Sequence, residues 1–408
     1  MPKPSEASPS ALRLGMVGLS GYARSITSLM LQSTEALETP VRVVAAAGPE
    51  AHSDPERVEQ LTGAGVRVYD DLEKMLDAGG LDAVWIFTPI HLHEPMTRRC
   101  LEAGLHVMCE KPAAGSVAEV ESMIAARDAA DRVALVGFQD VYDPLVLSLK
   151  RRLLAGEFGT INRVTLHASW PRDDAYFNRN NWAGRLTAKG RPVYDSPLNN
   201  ALSHFAHQCL FLAGRAMDAN ADPVKVDAEL YRAADIESFD TVTLHAETDA
   251  DVPINIAMTH AAGETRHPVI TLECEKGRVV RLHQAVEYHR EGEPVSREDN
   301  QREKRLPVAE HLARRARGID VGDAPGARLE MALTHTRLVE AVHAAAPIVP
   351  VPEADFARVA LSEAGHVHAV PGIEDAMQAA AHATGSLHAL DRFDWTRPAG
   401  AWHAEALA

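Results

Sequence analysis

The first 140 residues alternate short apolar runs with segments of helical periodicity, and this alternation constrains the fold more than any other feature. The predicted strands are LRLGMV, VRVVAAA, VRVY, AVWIF, HVMCE and RVALVGF. Parallel neighbours need a crossover connection, and the helical segments between these runs supply one each time. The six runs therefore predict a doubly wound parallel sheet of the Rossmann type, ending near Gln139.

Beyond residue 140 the pattern changes to longer strands that follow one another with few helices between them. Examples are GTINRVTLHASW, VKVDAELYR, DTVTLHAET and VITLECEKGRVVRLH, the last of which is interpreted as a single strand. Such strands favour an open, mostly antiparallel sheet. We expect an α/β chain with a disordered tail at 1–11, a Rossmann domain at 12–140 and an α+β domain at 141–408.

Charge narrows the class of binding partner, and cysteine content indicates the cellular compartment. The chain has 57 acidic and 41 basic side chains and a net charge of -16, which argues against a nucleic-acid or anionic-membrane partner and favours a small molecule. Its 4 cysteines show no CxxC spacing and are typical of thiols in a reducing cytoplasm. The sequence shows neither a signal-peptide pattern nor a run approaching the roughly 20 apolar residues of a membrane span.

The first strand runs into GMVGLSGYAR, where a dinucleotide fold carries GxGxxG. Aligned on Gly18, the three glycine positions read Gly18, Ser20 and Ala23, with Gly21 beside the serine. The motif alone is weak, but it follows a strand and opens a helix, which is the context that a dinucleotide site requires. A structural turn that binds nothing is the alternative.

The end of the second strand leaves the choice between NAD and NADP open. An acid at this point binds the ribose 2′-hydroxyl of NAD, whereas an arginine accommodates the 2′-phosphate of NADP. Gly48 occupies the expected position, Glu50 and Asp54 come later, and Arg57 is the first basic side chain other than a histidine.

Two further motifs, TPIHLH after the fourth strand and EKP after the fifth, complete a pattern. Together with the Gly-rich turn and the mixed-sheet second half, they resemble the Gfo/Idh/MocA family, which includes glucose-fructose oxidoreductase and the inositol dehydrogenases. The resemblance implies a Rossmann domain that binds NAD or NADP, and a second domain for substrate binding and oligomerisation, in a homodimer or homotetramer.

The resemblance also implies roles for individual residues. Lys111 corresponds to the family lysine that assists proton transfer at the reacting hydroxyl, and a lysine at the carboxyl end of a parallel strand suits that chemistry. Without the flanking pattern, Glu110 and Lys111 would be interpreted as a surface ion pair. The implied cofactor-binding residues are Gly18, Ser20, Gly21, Tyr22, Ala23, Thr88, Pro89, His93, Glu110, Lys111 and Gln139.

The segment DSPLNNALSHFAHQ predicts a helix capped by Ser196. Regular helical spacing would place Asn200, His204 and His207 on one face. His204 matches the catalytic histidine of the family, while Asn200 replaces an aspartate and removes its negative charge. Three roles remain open for His204: proton-transfer partner of Lys111, neutral hydrogen-bond partner of the substrate, or core histidine.

Aromatic and basic residues in WPRDDAYFNRNNWAGR offer a surface for a sugar ring. Tyr176, Trp182 and Arg185 are candidates for substrate binding together with Asn200 and His204, although the aromatic rings are equally suited to packing between domains. Among metal sites, the HxH pair at His91 and His93 lacks a third ligand nearby, so no metal is expected.

The sequence therefore predicts an NAD(P)-dependent oxidoreductase that transfers a hydride between a nicotinamide and a secondary hydroxyl of a sugar, polyol or cyclitol. Lys111 and His204 are the predicted catalytic residues. Two alternatives share the fold: a cofactor-binding sensor or scaffold without turnover, and an NAD-assisted glycoside hydrolase or lyase.

Overall fold

A computed structural model describes residues 11–33, 37–300, 303–362 and 365–404 of the protein. Residues 1–10 of the predicted tail lie outside this range. The chain forms two compact units. Unit 1 comprises Met1–Glu110, Glu121–Tyr142 and Glu303–Leu329, and unit 2 comprises Lys111–Val120, Asp143–Arg302 and Glu330–Ala408.

The regular elements are numbered in chain order. The strands are β1 (Leu12–Val17), β2 (Val41–Ala47), β3 (Arg67–Tyr69), β4 (Ala83–Ile86), β5 (His106–Cys109), β6 (Ala134–Val136), β7 (Ile161–Ser169), β8 (Thr187–Ala188), β9 (Arg191–Pro192), β10 (Pro223–Arg232), β11 (Thr241–Thr248), β12 (Ile254–Thr259), β13 (Arg266–Cys274), β14 (Gly277–Arg281), β15 (Ala285–His289), β16 (Ser296–Asp299), β17 (Ile348–Pro350), β18 (Ala357–Ser362), β19 (Gly365–Ala369) and β20 (Gly400–His403). The α-helices are α1 (Gly21–Ser33), α2 (Pro55–Gly63), α3 (Leu72–Ala78), α4 (His93–Glu102), α5 (Val117–Ala130), α6 (Pro144–Leu154), α7 (Asp174–Phe177), α8 (Ser203–Ala213), α9 (Arg305–Ala316), α10 (Leu329–Ala345) and α11 (Ile373–His382).

Unit 1 contains the predicted six-stranded parallel sheet, in the order β3-β2-β1-β4-β5-β6. The Rossmann prediction is confirmed. The central strand β4 is buried at every position, as expected for a parallel strand covered on both faces. Local signals set the helix starts: the side chain of Asp54 caps α2 ahead of Pro55, and Asp71 caps α3.

Unit 2 contains a ten-stranded open sheet in the order β16-β15-β14-β13-β7-β12-β11-β10-β17, with β20 paired to β10. The β7–β12 and β10–β17 pairs are parallel and the other pairs are antiparallel, which confirms the predicted mostly antiparallel sheet. Helix α11 covers β7 and β12, and its Ile373 and Met377 join Tyr231 and Trp395 in a buried cluster. Within the described residues, no helix is long and apolar enough to cross a membrane.

The segment predicted as one strand, VITLECEKGRVVRLH, is a hairpin of β13 and β14 instead. Gly277 enters β14 with φ 133, a conformation that side-chain-bearing residues rarely adopt. A Cβ at this glycine would lie 2.2 Å from the backbone oxygen of His289. The turn is therefore made possible by Gly277. The apolar residues on both sides of it gave the appearance of one continuous strand.

The division into units differs from a single cut after residue 140 in two places. Lys111–Val120 belongs with unit 2, where a Cβ at Gly115 would meet the backbone oxygen of Pro192 at 1.9 Å and Val117 N donates to Glu340. Glu303–Leu329 belongs with unit 1, where Leu135 and Arg328 form a β-bridge. The order of residues along the chain does not reveal that these two segments belong to a different unit from their neighbours in sequence.

The helix predicted from Ser196 onward is interrupted. Ser196 caps it as predicted, but Pro197–Ala201 is a π-helix, shown by the bond from Leu202 N to the oxygen of Pro197 five residues earlier. The α-helix α8 begins only at Ser203. Asn200 and His204 therefore lie in different helical segments, and the prediction of one regular helix through Asn200, His204 and His207 is wrong.

Candidate functional site

The turn between β1 and α1 provides exposed backbone at the start of a thirteen-residue helix. Gly18 adopts φ 114, and a Cβ there would lie 3.2 Å from the Cβ atoms of both Ala23 and Phe87. Gly21 adopts φ 54 with nothing within 4 Å of a Cβ, so its surroundings are open. Close packing beneath Gly18 and open space above Gly21 suit the binding of a phosphate by backbone N–H groups.

Ser20, the unusual member of this turn, hydrogen-bonds an acid that follows β2. Its hydroxyl donates to Oε1 of Glu50 over 2.7 Å. The other carboxylate oxygen, Oε2, is buried and has no hydrogen-bond partner among the described residues. A Cβ at Gly48 would lie 2.5 Å from this Oε2, so the glycine at the expected acid position makes room for the Glu50 side chain.

An unsatisfied buried carboxylate oxygen beside a glycine turn fits a dinucleotide, because a ribose hydroxyl is a suitable donor. Glu50 is visible in the sequence as an acid that follows β2, but its partner Ser20 lies 30 positions earlier. A glycine immediately before Pro-Glu at the end of β2 is the signal that would have found it.

The loop after β4 is held by His93. This histidine is 1% exposed, and its Nε2 donates to the backbone oxygen of Thr88 over 2.7 Å. Pro89 precedes a short 3₁₀ turn, Ile90–Leu92, that leads into α4. The hydroxyl of Thr88 is buried without a hydrogen-bond partner among the described residues. His93 thus fixes the loop that presents Thr88, and a direct cofactor contact of His93 stays a prediction.

Glu110 is a buried residue and not half of a surface ion pair. It is 7% exposed, and its Oε1 accepts a hydrogen bond from the indole N–H of Trp85 over 3.1 Å. A Cβ at Gly137, just after β6, would lie 2.6 Å from the same oxygen. The glycine in GFQ therefore leaves space for the carboxylate at the end of β5.

Lys111 follows immediately, through a cis bond to Pro112, and points its amine at Asn200. The Nζ atom donates to the backbone oxygen of Asn200 over 2.8 Å and to the side-chain oxygen over 3.4 Å. Asn200 in turn donates from Nδ2 to Oδ1 of Asp195 over 2.6 Å. Two of the residues that the sequence singled out are therefore in contact, with a third polar residue that it missed.

The histidines of α8 differ in their surroundings. His204 is half-buried in the first turn of the helix, whereas His207 is 1% exposed and bonded to Nδ2 of Asn220 at 3.2 Å. Burial, together with His335 and His204, lowers the pKa of His207 well below its usual value. Burial also lowers the pKa of His335 to about 4, with a smaller contribution from Lys111 in the same direction. His207 is thus a neutral core histidine, and the three open roles of His204 stay predictions.

The rings of Tyr176 and Trp182 both lie close to the guanidinium group of Arg179. The guanidinium carbon of Arg179 lies 3.7 Å from the ring centroid of Tyr176 and 5.4 Å from that of Trp182. Arg172 lies 4.7 Å from the Tyr176 centroid. Both rings are half-buried, so each keeps an accessible part of its surface. Such a cluster is amphipathic, which suits contact with a hydroxylated ring.

The remaining predicted residues lie apart from these groups. Arg185 is exposed and its guanidinium pairs with Glu237 at 2.5 Å, which lowers the pKa of that carboxyl. Tyr22 is 46% exposed, with its ring edge-on to Phe87 at 5.9 Å between centroids. Gln139 is half-buried in a short 3₁₀ turn after β6. No group of three or more potential metal ligands occurs among the residues that the structure describes.

Sequence comparison matches both halves of the chain to one family. Residues 12–138 match the profile described as "Oxidoreductase family, NAD-binding Rossmann fold", and residues 146–280 match the "GFO/IDH/MocA C-terminal domain". The chain belongs to the Gfo/Idh/MocA family. The glycine turn, Glu50 and Glu110 thus lie in an NAD-binding Rossmann fold.

Individual members of the Gfo/Idh/MocA family are similar over part of their length. Inositol 2-dehydrogenase 4 of Saccharopolyspora erythraea is 36% identical over 126 residues, which cover 29% of this chain and 36% of the relative. The NADP-dependent scyllo-inositol 2-dehydrogenase of Bacillus subtilis is 26% identical over 183 residues, which cover 44% and 55%. The matched stretches thus span less than two thirds of these relatives.

Solved structures of other proteins share the fold over most of the chain. The WlbA dehydrogenase from Bordetella pertussis, solved with NADH and UDP-GlcNAcA, superposes with a TM-score of 0.66 at 22% identity, covering 81% of this chain and 94% of the other. The aldose-aldose oxidoreductase from Caulobacter crescentus, solved with glycerol, gives a TM-score of 0.64 at 21% identity, covering 81% and 96%. At these identities the likeness concerns the fold.

Proposed function

We propose that this protein is an oxidoreductase that transfers a hydride between a nicotinamide cofactor and a secondary hydroxyl of a sugar, polyol or cyclitol. One observation carries the proposal: the second residue after β5 of a Rossmann sheet is a lysine, Lys111, whose amine is held by Asn200 at 2.8 Å. The carboxyl ends of parallel strands are where such sheets bind ligands. Family membership and the inositol dehydrogenase relatives support this reaction class.

The bound nicotinamide would supply the hydride chemistry, while the protein provides binding, orientation and a proton path. The backbone from Gly18 to Ala23 would hold the phosphates at the start of α1. Thr88, Pro89 and Glu110 line the ends of β4 and β5, and we include Tyr22, His93, Lys111 and Gln139 among the proposed cofactor contacts.

We further propose that the protein prefers NAD to NADP. Glu50 carries a negative charge beside the glycine turn, bonded to Ser20 and with one oxygen left for a ribose hydroxyl. A 2′-phosphate would meet that charge. The nearby Arg24 is paired with Asp54 at 3.2 Å.

At the substrate, Lys111 would exchange a proton with the reacting hydroxyl, because an amine held by neutral oxygens of Asn200 keeps a transferable proton. His204 is the second proposed acid/base group. Asn200, Tyr176, Trp182 and Arg185 complete the proposed substrate site, with the two aromatic rings forming an apolar wall and the polar groups bonding hydroxyls.

We assign cofactor binding to residues 12–140, and substrate binding and self-association to residues 141–408, in a cytoplasmic homodimer or homotetramer. The 4 cysteines are all buried thiols, which supports a reducing compartment. Size measurement by sedimentation tests the assembly independently of activity.

The deciding experiment has two parts. Titration with NADH and NADPH, followed by protein fluorescence, measures cofactor binding. A panel of inositols, sugars and sugar acids, followed by NADH absorbance, then measures oxidation by the wild type and by Lys111→Ala. We expect binding in both proteins and a fall in kcat of at least about 100-fold in the variant.

Two results would contradict the proposal in different ways. Failure to bind either nucleotide would refute the oxidoreductase assignment. Undiminished oxidation by Lys111→Ala would refute only the role of the lysine. Lys111→Arg is the matched control, because it keeps a positive charge but does not exchange its proton near neutral pH.

A further inference from the structure

Asp195 is a buried acid that ties together two parts of unit 2. It is 3% exposed, and both of its carboxylate oxygens accept hydrogen bonds. Oδ1 accepts from Nδ2 of Asn200 over 2.6 Å, and Oδ2 accepts from the backbone N–H of Gly184 over 2.6 Å. Tyr194, the residue before it, adopts φ 42, so the backbone reaches this position through the left-handed region.

The bond to Asp195 determines which way the Asn200 amide points. A carboxylate oxygen accepts and does not donate, so the NH₂ of the amide must face Asp195. The carbonyl oxygen of the same amide then faces the amine of Lys111, 3.4 Å away. A continuous path of hydrogen bonds therefore runs from the ammonium of Lys111 through Asn200 to the carboxylate of Asp195.

Resting on the proposed function, we propose that Asp195 is a positioning residue for Lys111 and supplies the negative charge that the Asn200 amide lacks. In a path that is buried at Asp195 and half-buried at Asn200 and Lys111, the amide is polarised by the carboxylate on one side and the ammonium on the other, which strengthens both bonds. The carboxylate thereby favours the protonated lysine and fixes its direction. The negative charge thus lies on Asp195, one hydrogen bond further from Lys111 than the side chain of residue 200.

The same carboxylate also holds the segment that carries the proposed aromatic wall. Gly184 lies two residues after Trp182, and the Asp195 backbone N–H donates to the oxygen of Arg185 over 3.0 Å. Loss of the carboxylate would weaken the attachment of the Trp182 loop at Gly184 and free the amide of Asn200 to turn. A change in KM is therefore expected from the loop, and a change in kcat from the lysine.

The titration of Asp195 gives the path a pH dependence. Burial raises the pKa of Asp195, while the Gly184 N–H, Arg179, Asn200 and Lys111 act in the opposite direction. Burial, with a smaller contribution from the Asp195 carboxylate, raises the pKa of Tyr176. Since only the ionised acid attracts the ammonium, kcat should fall as the pH drops through the raised pKa. This acidic limb should disappear in Asp195→Asn.

Three variants test the proposal by removing, adding and moving the charge: Asp195→Asn, Asn200→Asp, and the double exchange Asp195→Asn/Asn200→Asp. Asp240→Asn is the matched control, because Asp240 is 1% exposed, accepts backbone N–H bonds from Ala233 and Ala234, and has a pKa raised by burial. The readouts are kcat, KM and the protonation midpoint of Lys111. The midpoint comes from NMR of ¹³C-dimethylated lysines, assigned with Lys111→Arg.

We expect Asp195→Asn to lower kcat by about 10- to 100-fold and to move the Lys111 midpoint to lower pH, while NADH binding is unchanged. The double exchange keeps a carboxylate bonded to an amide, and it should restore at least a tenfold part of kcat and return the midpoint to the wild-type pH or above. Asp240→Asn should change the melting temperature without moving the midpoint.

A Lys111 midpoint that does not move in Asp195→Asn, or moves equally in Asp240→Asn, overturns the proposal whether or not turnover is observed. Failure of the proposed function would be seen separately, as absent NADH binding or full activity of Lys111→Ala. If Asp195→Asn does not fold, the double exchange decides: a midpoint below that of the wild type overturns the proposal.

Discussion

Replacing Glu50 with glutamine should change the choice of cofactor more than any other single substitution in unit 1. Glutamine keeps the size of the side chain and an oxygen that accepts from Ser20, but it removes the negative charge. The bond from the Ser20 hydroxyl, 2.7 Å long, can therefore persist. What changes is the repulsion that a 2′-phosphate would experience.

The size of the effect follows from Coulomb's law. Two unit charges about 5 Å apart repel by about 0.8 kcal/mol in bulk water and about 3 kcal/mol at an effective dielectric constant of about 20. Glu50 is half-buried, so we expect a value between these limits for each charge of the phosphate. Because about 1.4 kcal/mol corresponds to a tenfold change in Kd, the Kd ratio of NADPH to NADH should fall about 10- to 100-fold.

Fluorescence titration of the wild type, Glu50→Gln and Glu56→Gln with both reduced nucleotides measures this ratio without turnover. Glu56 is an exposed acid in the first turn of α2, so its variant removes an equal charge from the same region. Tighter binding of NADPH than NADH by the wild type would refute the reasoning. An equal change of the ratio in both variants would show that only net charge matters.

Three other substitutions test separate features of the two units. Gly137→Ala should lower the free energy of unfolding by about 1–3 kcal/mol, because its Cβ would press on the buried carboxylate of Glu110 at 2.6 Å, whereas Gly63→Ala, with nothing within 4 Å, should stabilise slightly in the same thermal denaturation assay. Thr88→Val removes a buried hydroxyl that has no partner among the described residues, so it should raise the melting temperature yet weaken NADH binding about 3- to 10-fold in a fluorescence titration. Lys150 is fully buried in α6 and burial lowers its pKa to about 7, so between pH 7 and about 10 the unfolded chain binds the extra proton. Urea denaturation should show the wild type gaining up to about 1.4 kcal/mol per pH unit relative to Lys150→Met over that interval, and parallel pH profiles would contradict the burial of a neutral amine.

The features that could be predicted are those encoded in short stretches of sequence. The six strands of unit 1 are apolar runs that are each separated by a helical segment, so local periodicity is sufficient to identify them. Lys111 could be placed because the motif around it marks the end of a strand. The Ser196 cap was also predicted, since a serine before a proline is a local signal.

The features that could not be predicted depend on contacts between distant positions or on departures from regular geometry. The bond between Ser20 and Glu50 joins residues 30 positions apart and requires the bare Cα of Gly48. Asp195 lies only five positions before Asn200, yet a regular helix would have given no reason to pair them. Hydrophobic periodicity does not distinguish a five-residue π-helix from an α-helix, because both leave the same residue types buried.

The π-helix at Pro197–Ala201 also limits how this region can change in length. Each residue of an α-helix advances the chain by about 100° around the helix axis. Deleting one residue from the π-helix would let the segment continue as a regular α-helix, but it would turn Asn200 by about that angle relative to α8. Insertion or deletion in this segment would therefore separate the amide from the amine of Lys111.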